Sequence, residues 1–499
     1  MSTQEPGFDW FAQPAARQNL TRKSVQGTLW SAASRGGNQL IRVASLLILA
    51  RLLMPGDFGL IGMTMAVVGI IAVFQDLGFS GAIIQRPSIT HQQVSNLFWL
   101  NVAASLVGAA LVVGAAPLLQ RYYGDPRVAE LTRWLALGFC FNGAASQHRA
   151  LLGRTLQMRA LASISLASTA VTAAVSLVGA WLGAGYWALA GGLIAGNLVS
   201  VGLSWMLCGW RPTRPRRGAG TRAMISFGVN VALFTLMGYV AKNLYNFVIG
   251  RQWGAVEVGV YGRAAAVSQQ LLGNVVQPVG QVGPSALSRL ALEPEKFREY
   301  YYRACTLVVI VALPVAFVGL VLPHEFVLVV LGDRWQASAP LLQVLSWGVL
   351  AQALSHTTGW VFVSTGRPAT MLAWGIFGWS VIIVGTFVGA AYGLHGIAAA
   401  ASICAGALLV PNLWIAYAGT PLTLTALAQA LARPLLAGVL ASAVAWGGLL
   451  GLQVSGPWIR LLLGGTVFLA AYAALLLLLG QAPLLREILA QLRRRPVPE

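Results

Sequence analysis

Uninterrupted apolar blocks of about 20 residues recur along this chain, and each is long enough to carry a helix across a hydrocarbon core about 30 Å thick. Inside that core every backbone N–H and C=O has to be paired within the segment, which leaves helices or a closed barrel. The ten-residue alternating strands of a barrel are absent. The composition agrees: 499 residues, 57% hydrophobic and only 9% charged, with a mean hydropathy of +0.71. A soluble multidomain protein carries about 25% charged residues and is excluded. The fold class read from the sequence is therefore an all-α polytopic membrane protein of about 14 transmembrane helices.

The spans are expected at 25–51, 57–77, 93–116, 128–148, 160–182, 186–208, 224–250, 257–282, 302–322, 340–364, 369–391, 394–417, 433–453 and 458–480. Turn chemistry separates several of them, in Met54-Pro55-Gly56-Asp57, Gly124-Asp125-Pro126, Gly366-Arg367-Pro368 and Gly456-Pro457. The net charge of +19 is first a matter of topology. With the N-terminus cytoplasmic, inner segments hold 22 of the 33 basic residues and outer segments six. That ratio fits fourteen spans with both termini inside, so the charge faces anionic lipid headgroups and no nucleic-acid partner is implied.

The expected organisation is a cytoplasmic N-terminal segment (1–24), a six-helix bundle (25–209), a basic cytoplasmic linker (210–223), a second six-helix bundle (224–417), two additional helices (418–480) and a cytoplasmic amphipathic tail (481–499). The linker contains the run Trp210-Arg211-Pro212-Thr213-Arg214-Pro215-Arg216-Arg217. In the tail, Leu484, Leu485, Ile488, Leu489 and Leu492 share a helical face with arginines beside it, which reads as an interfacial helix or a solvated tail. A shift of 200 residues superimposes Arg51, Asp57, Gly59, Gly62, Ala66 and Val67 on Arg251, Glu257, Gly259, Gly262, Ala266 and Val267, as a duplication of two six-helix, pseudo-symmetric halves requires. Asp57 and Glu257 each fall at a helix start, where a carboxylate caps free N–H groups.

The chemistry lies in cationic stripes. Arg35, Asn38, Gln39 and Arg42 follow i, i+3, i+4, i+7 spacing in the first span. Arg263, Gln270, Asn274, Gln277 and Gln281 nearly share a face in the eighth, and Lys242 in the seventh has Tyr239, Tyr245 and Asn246 one turn away. An arginine at mid-membrane costs about 2.5–3.5 kcal/mol on insertion scales, so water, an anion or a counter-charge must receive each one. Singly, such residues also cross-link helices or snorkel to an interface. Of fourteen acidic residues, Asp57, Glu130 and Glu257 fall at the starts of expected spans and Asp76 near the end of one, so the interior is expected to be net positive, and arginine forks suit phosphate. A cation exporter wants the opposite sign.

The five histidines are scattered without an HExxH motif, so no metal site is expected; His356, amid Ser355, Thr357 and Thr358, either lines a path or packs. Cys140, Cys208, Cys305 and Cys404 read as buried apolar residues. No Walker loop is present, and no cofactor is called for. The longest outer loop, around Pro323 to Pro340, is too short for the catalytic loop a membrane polymerase or glycosyltransferase usually needs.

Four stretches resemble the polysaccharide transporter family, the Wzx-type flippases of the multidrug/oligosaccharidyl-lipid/polysaccharide superfamily. They are Leu49-Ala50-Arg51-Leu52-Leu53-Met54-Pro55-Gly56-Asp57-Phe58-Gly59-Leu60, Phe74-Gln75-Asp76-Leu77-Gly78-Phe79-Ser80, Ala82-Ile83-Ile84-Gln85-Arg86 and Phe98-Trp99-Leu100-Asn101. The resemblance implies a bacterial inner-membrane transporter that moves an undecaprenyl-diphosphate-linked oligosaccharide to the periplasmic leaflet by alternating access, for exopolysaccharide or lipopolysaccharide synthesis. It implies diphosphate binding by Arg35, Arg42, Arg263 and Lys242, and glycan contacts by Asn38, Gln39, Gln270 and Asn274. Asp76 and His356 are the candidate coupling groups. The implied partners are the lipid-linked glycan, membrane lipids, and a polysaccharide polymerase with its assembly proteins; one chain supplies both halves, so the functional unit is expected to be monomeric. The rival readings are a drug or cation exporter of the same superfamily and a membrane polymerase or ligase acting on lipid-linked sugars.

Overall fold

The computed structural model describes residues 17–76, 83, 88–216, 222–451 and 456–481. Among them are seventeen α-helices and no strand. In chain order these are α1 (Arg17–Leu52), α2 (Pro55–Asp76), α3 (His91–Tyr123), α4 (Pro126–Leu135), α5 (Leu137–Arg154), α6 (Met158–Trp181), α7 (Tyr186–Leu207) and α8 (Arg222–Gln252). There follow α9 (Ala255–Arg289), α10 (Pro294–Val321), α11 (Pro323–Val330), α12 (Ser338–Ser346), α13 (Val349–Ser364), α14 (Pro368–Ala390), α15 (Gly393–Tyr417), α16 (Leu424–Gly451) and α17 (Pro457–Leu478). Nine helices among the described residues are long and apolar enough to cross a membrane: α2, α3, α6, α7, α10 and α14 to α17. The chain is a multi-pass membrane protein. The expected tail helix over 484–495 lies outside the described residues.

Helix ends sit where the turn chemistry places them. Met54 N–H donates to Asp57 Oδ2 (2.9 Å) at the start of α2, the capping role expected for that carboxylate. Thr90 and Gln93 close a full capping box on α3, and Gly124 ends it at φ 73°. Asp125 then caps α4, and the hydrogen-bonded Arg127 guanidinium holds its carboxyl below the usual range. Helix α1 starts at Arg17, ahead of the expected span, because no Gly or Pro lies between Arg17 and Gln26 to stop it. Two expected spans are broken. The fourth divides at Ala136 and the tenth at Trp347-Gly348, each marked by an i→i+3 bond, Phe139 N–H to Ala136 O (3.1 Å) and Gly348 N–H to Leu345 O (3.1 Å).

The chain forms two compact units, residues 1–259 and 260–499. In the first, α6 and α7 make a hairpin whose seam is set by small residues: a Cβ at Gly192 or Gly196 would strike Ser176 or Thr172, and Ser168 Oγ donates to Gly196 O (2.9 Å). Helix α1 packs along α6, α3 along α5, and α8 along α2. Because α8 packs there, the first unit runs past the basic segment to Gly259. In the second unit α14 and α15 make the equivalent hairpin, with Gly389 and Gly396 backbone to backbone. Helices α16 and α17 pack beside α10 and α11, with Phe317 stacked on Phe468 (4.0 Å) and Arg460 Nε 3.0 Å from Glu325 Oε1.

Both units repeat one local turn. After α5, the N–H groups of Thr155, Leu156 and Gln157 bond to the carbonyls of Leu151 (3.0 Å), Gly153 (3.1 Å) and Leu152 (2.9 Å). After α13, Thr365, Gly366 and Arg367 bond to Val361 (3.0 Å), Val363 (3.2 Å) and Phe362 (2.9 Å) in the same pattern. The residue that must enter the left-handed region is Gly366 (φ 67°) in one case and Leu156 (φ 56°) in the other. A second correspondence holds within the first unit. A Cβ on Gly59 would meet the Ala255 carbonyl, and one on Gly259 the Pro55 carbonyl. These four positions pair at the shift of 200 read from the sequence, so the contact is reciprocal.

Two stability effects follow from these turns and contacts. Leu156→Gly, which removes a left-handed non-glycine residue, is expected to raise stability by about 1 kcal/mol. Gly59→Val is expected to lose about 1–3 kcal/mol from overpacking, because the opposing group is main chain. Thermal melting of the purified protein in detergent measures both; an unchanged or lower melting temperature for Leu156→Gly would contradict the first.

Candidate functional site

The stripe on α1 is a real helical face, and its four members have different environments. Arg35 and Arg42, separated by about 10 Å along the axis, are both exposed. Among the described residues no carboxylate pairs with either of them. Asn38 and Gln39 between them are half-buried. Asn38 Nδ2 donates to Ser165 Oγ on α6 at 2.7 Å, so this member of the stripe ties α1 to α6. Asn38 Oδ1 and Gln39 Nε2 are buried atoms without a hydrogen-bond partner among the described residues, free to meet a polar ligand or water. The approach of α1 to α6 is close at Gly37, where a Cβ would lie 2.9 Å from Leu166 Cδ2. About two turns before Gly37, Arg159 lies over the Trp30 ring at 5.3 Å.

Lys242 is exposed on α8. Its neighbours Tyr239 and Asn246 turn towards α2: Tyr239 Oη donates to Met65 O (2.6 Å), and Asn246 packs beside Gly62. These two cross-link helices, while Lys242 stands beside them with no ion pair among the described residues. No hydrogen bond among the described residues joins Lys242 to the α1 stripe. The first unit thus holds Arg35, Asn38, Gln39, Arg42 and Lys242, whereas Arg263, Gln270, Asn274 and His356 belong to the second. Arg263 and Gln270 are half-buried on α9 and His356 is exposed on α13. The side chains of Asp76, at the end of α2, and Asn274, on α9, lie outside the described residues.

Other arginines are taken up by carbonyls. Arg154, buried at the end of α5, donates through Nη1 to Ile83 O (2.8 Å). Arg367 donates to Ala418 O (2.7 Å) and Ala416 O at the end of α15, and to Thr365 Oγ1 (3.0 Å). No group of three or more His, Cys, Asp or Glu able to hold a metal occurs among the described residues. The four cysteines are free thiols, Cys208 and Cys305 buried.

Sequence reading missed one polar cluster. Asn101, Gln147 and His148 are fully buried in the first unit, with Asn101 Nδ2 donating to Gln147 Oε1 (3.1 Å). The His148 ring is clasped by Trp205 (4.4 Å) and Trp210 (5.2 Å), with Phe98 at 6.0 Å. Among the described residues Asn101 Oδ1, Gln147 Nε2 and both ring nitrogens find no hydrogen-bond partner of good geometry. The one available signal was Asn101, at the end of the Phe98-Trp99-Leu100-Asn101 motif; its partner is 46 residues away.

Comparison with known proteins adds the following. The family described as polysaccharide biosynthesis protein matches residues 48–340. The chain is 25% identical over 368 residues to the lipopolysaccharide biosynthesis protein WzxC of Escherichia coli, covering 72% of this chain and 73% of that one. It is 25% identical over 484 residues to the succinoglycan biosynthesis transport protein ExoT of Rhizobium meliloti, covering 93% and 95%. The fold is similar to that of the lipid II flippase MurJ in an inward closed conformation, with a TM-score of 0.72 over 90% of this chain and 99% of that one at 12% identity.

The buried amide pair gives a paired test. Asn101→Ala is expected to cost about 1–3 kcal/mol by leaving Gln147 Oε1 buried without its donor, whereas Asn101→Leu with Gln147→Leu is expected to cost much less. Thermal melting of both variants distinguishes them, and equal losses would show that the amide bond is not what the cluster needs.

Proposed function

We propose, since the chain belongs to the polysaccharide biosynthesis protein family, that it is a flippase for undecaprenyl-diphosphate-linked oligosaccharide repeat units. It moves them from the cytoplasmic to the periplasmic leaflet of the bacterial inner membrane for exopolysaccharide or lipopolysaccharide synthesis. It is a transporter and no covalent step is involved. The names of WzxC and ExoT support the substrate class. The observation that carries the reading is the pair of exposed guanidinium groups at Arg35 and Arg42 without a carboxylate partner among the described residues.

An unpaired guanidinium in a membrane helix is favourable only where water or an anion meets it. A diphosphate matches it better than any other group on a lipid carrier, because its oxygens accept the parallel N–H pairs of the arginine fork. In this reading Arg35 and Arg42 take the diphosphate together with Arg263 and Lys242. The unpaired amide atoms of Asn38 and Gln39, with Gln270 and Asn274, meet the glycan hydroxyls. The polyprenyl tail stays in the bilayer. Transport proceeds by alternating access, two further helices complete about fourteen spans, and both termini are cytoplasmic, a topology with which the 22-to-6 partition of basic residues agrees. An inside-negative potential favours outward movement of the anion by about 2.3 kcal/mol per charge per 100 mV. Asp76 and His356 are the groups to test as proton carriers, and the polymerase and assembly proteins are the expected partners.

The test replaces Arg35 and Arg42 together by Ala. Flipping is expected to fall about a hundredfold, since two charge-assisted donors of about 1.5 kcal/mol each are lost. The variant should still fold, and unflipped lipid-linked units should accumulate on the cytoplasmic side. Normal export in this variant refutes the anion site. Abolition of transport by Asp76→Asn with no effect at Arg42 would favour a cation exporter, and flipped but unpolymerised units in a deletion strain would favour a polymerase.

A further inference from the structure

The basic run after α7 is built onto the protein. Its root is Trp210, 3% exposed and packed with Phe98, Leu97 and Leu151. Arg211 is spent locally: Nη1 donates to the carbonyls of Trp205 (3.1 Å), Cys208 (2.9 Å) and Trp210 (2.9 Å), and the guanidinium lies 5.4 Å from the Trp205 ring centre. From there the chain runs as a strap across the first two turns of α3. Trp99 Nε1 donates to Thr213 O (2.8 Å), Gln92 Nε2 to Arg214 O (3.0 Å) and Asn96 Nδ2 to Arg216 O (2.6 Å). In return Thr213 N–H donates to Ser95 Oγ (3.1 Å) and Arg216 N–H to Asn96 Oδ1 (3.0 Å).

The sequence encodes this docking on both sides. Gln92, Ser95, Asn96 and Trp99 follow i, i+3, i+4, i+7 spacing and so form one polar face on α3. Pro212 and Pro215 hold the strap extended and bias Arg211 and Arg214, which precede them, away from helix. With main-chain groups of Thr213, Arg214 and Arg216 engaged by α3, the strap still has its arginine side chains to offer. Arg214 and Arg216 are exposed, and among the described residues neither makes an ion pair.

Depth in the membrane identifies what they meet. Trp99 is 41% exposed where the polar start of α3 meets its apolar run, and its N–H holds the strap. A half-exposed indole with its N–H bonded to a polar segment marks the interfacial layer, where lipid phosphates lie. We propose that the strap 211–216 is a preformed site for lipid-borne phosphate at the membrane surface, with Arg214 and Arg216 as its donors. The site is distinct from the α1 stripe. It rests on the proposed function only for its assignment to the cytoplasmic side. The phosphate belongs either to an anionic phospholipid headgroup or to the polyprenyl diphosphate of a waiting substrate.

The test uses the full chain, delipidated in detergent, with bound lipid counted by native mass spectrometry. The probes are phosphatidylglycerol, with phosphatidylcholine as reference, and undecaprenyl diphosphate. The latter is measured in an Arg35→Ala, Arg42→Ala background so that the first site does not contribute. Arg214→Gln with Arg216→Gln leaves the strap's main-chain bonds in place and should weaken binding about thirtyfold, about fivefold per arginine. Loss confined to phosphatidylglycerol assigns the site to headgroups, loss confined to undecaprenyl diphosphate assigns it to the carrier, and loss of both assigns it to phosphate from either source. Unchanged binding of both probes overturns the proposal. The unaltered protein supplies an independent check: its preference for phosphatidylglycerol over phosphatidylcholine must fall steeply with salt, and a salt-independent preference overturns the proposal too. The Arg35→Ala, Arg42→Ala variant should keep its phosphatidylglycerol binding, so the strap and the α1 site fail separately.

Discussion

A guanidinium carried into a membrane protein needs a destination, and the arginines of this chain are sorted by the one each finds. Arg154, Arg211 and Arg367 reach backbone carbonyls, the last two at helix ends where up to four carbonyls lack an intrahelical partner. There the cation also lies at the negative end of the helix dipole. Arg460 meets Glu325, and Arg159 meets the face of Trp30. Among the described residues Arg35 and Arg42, like Lys242, Arg214 and Arg216, have no carboxylate partner, and the amides between the two α1 arginines also keep unpaired atoms. Some cations thus hold helices together, and others are left to meet water or an anion.

The two units are variations on one plan. Each contains a span divided into two helices, α4 with α5 and α12 with α13. Each follows it with the same three-bond turn, and then with a hairpin seamed by small residues. The turn is the clearest of these, because it is a backbone pattern that tolerates a change of residue. Glycine satisfies it at 366, whereas leucine at 156 accepts a left-handed conformation that its side chain disfavours. Hydrogen-bond geometry has kept a likeness that residue identity at these positions has not.

Class and punctuation were legible because they depend on local rules. Apolar length marks helices, and Gly, Pro and Asp mark their ends, so the breaks at 54–57, 124–126, 366–368 and 456–457 stand where the sequence puts them. The α1 stripe was legible because it is periodic. The breaks at Ala136 and Trp347-Gly348 were not, since no proline announces them. Nor does hydrophobic periodicity separate inside from outside here: Leu476 is 1% exposed and Leu478 81% exposed, yet both sit in the same apolar helix, α17. In lipid the exposed face is as apolar as the core, so the usual amphipathic signal disappears. The partners that assemble sites, Ser165 for Asn38, Gln147 for Asn101 and the α3 face for the strap, lie 46 to 127 residues away.

The reciprocal contact at Gly59 and Gly259 has a genetic consequence. When a bulky substitution presses on a neighbouring side chain, trimming that neighbour can rescue it. At this contact each glycine faces the carbonyl of the opposite segment, Ala255 in one direction and Pro55 in the other, and no codon shortens a carbonyl. Selection for revertants at either glycine should therefore return the original residue and yield no compensating truncation across the seam.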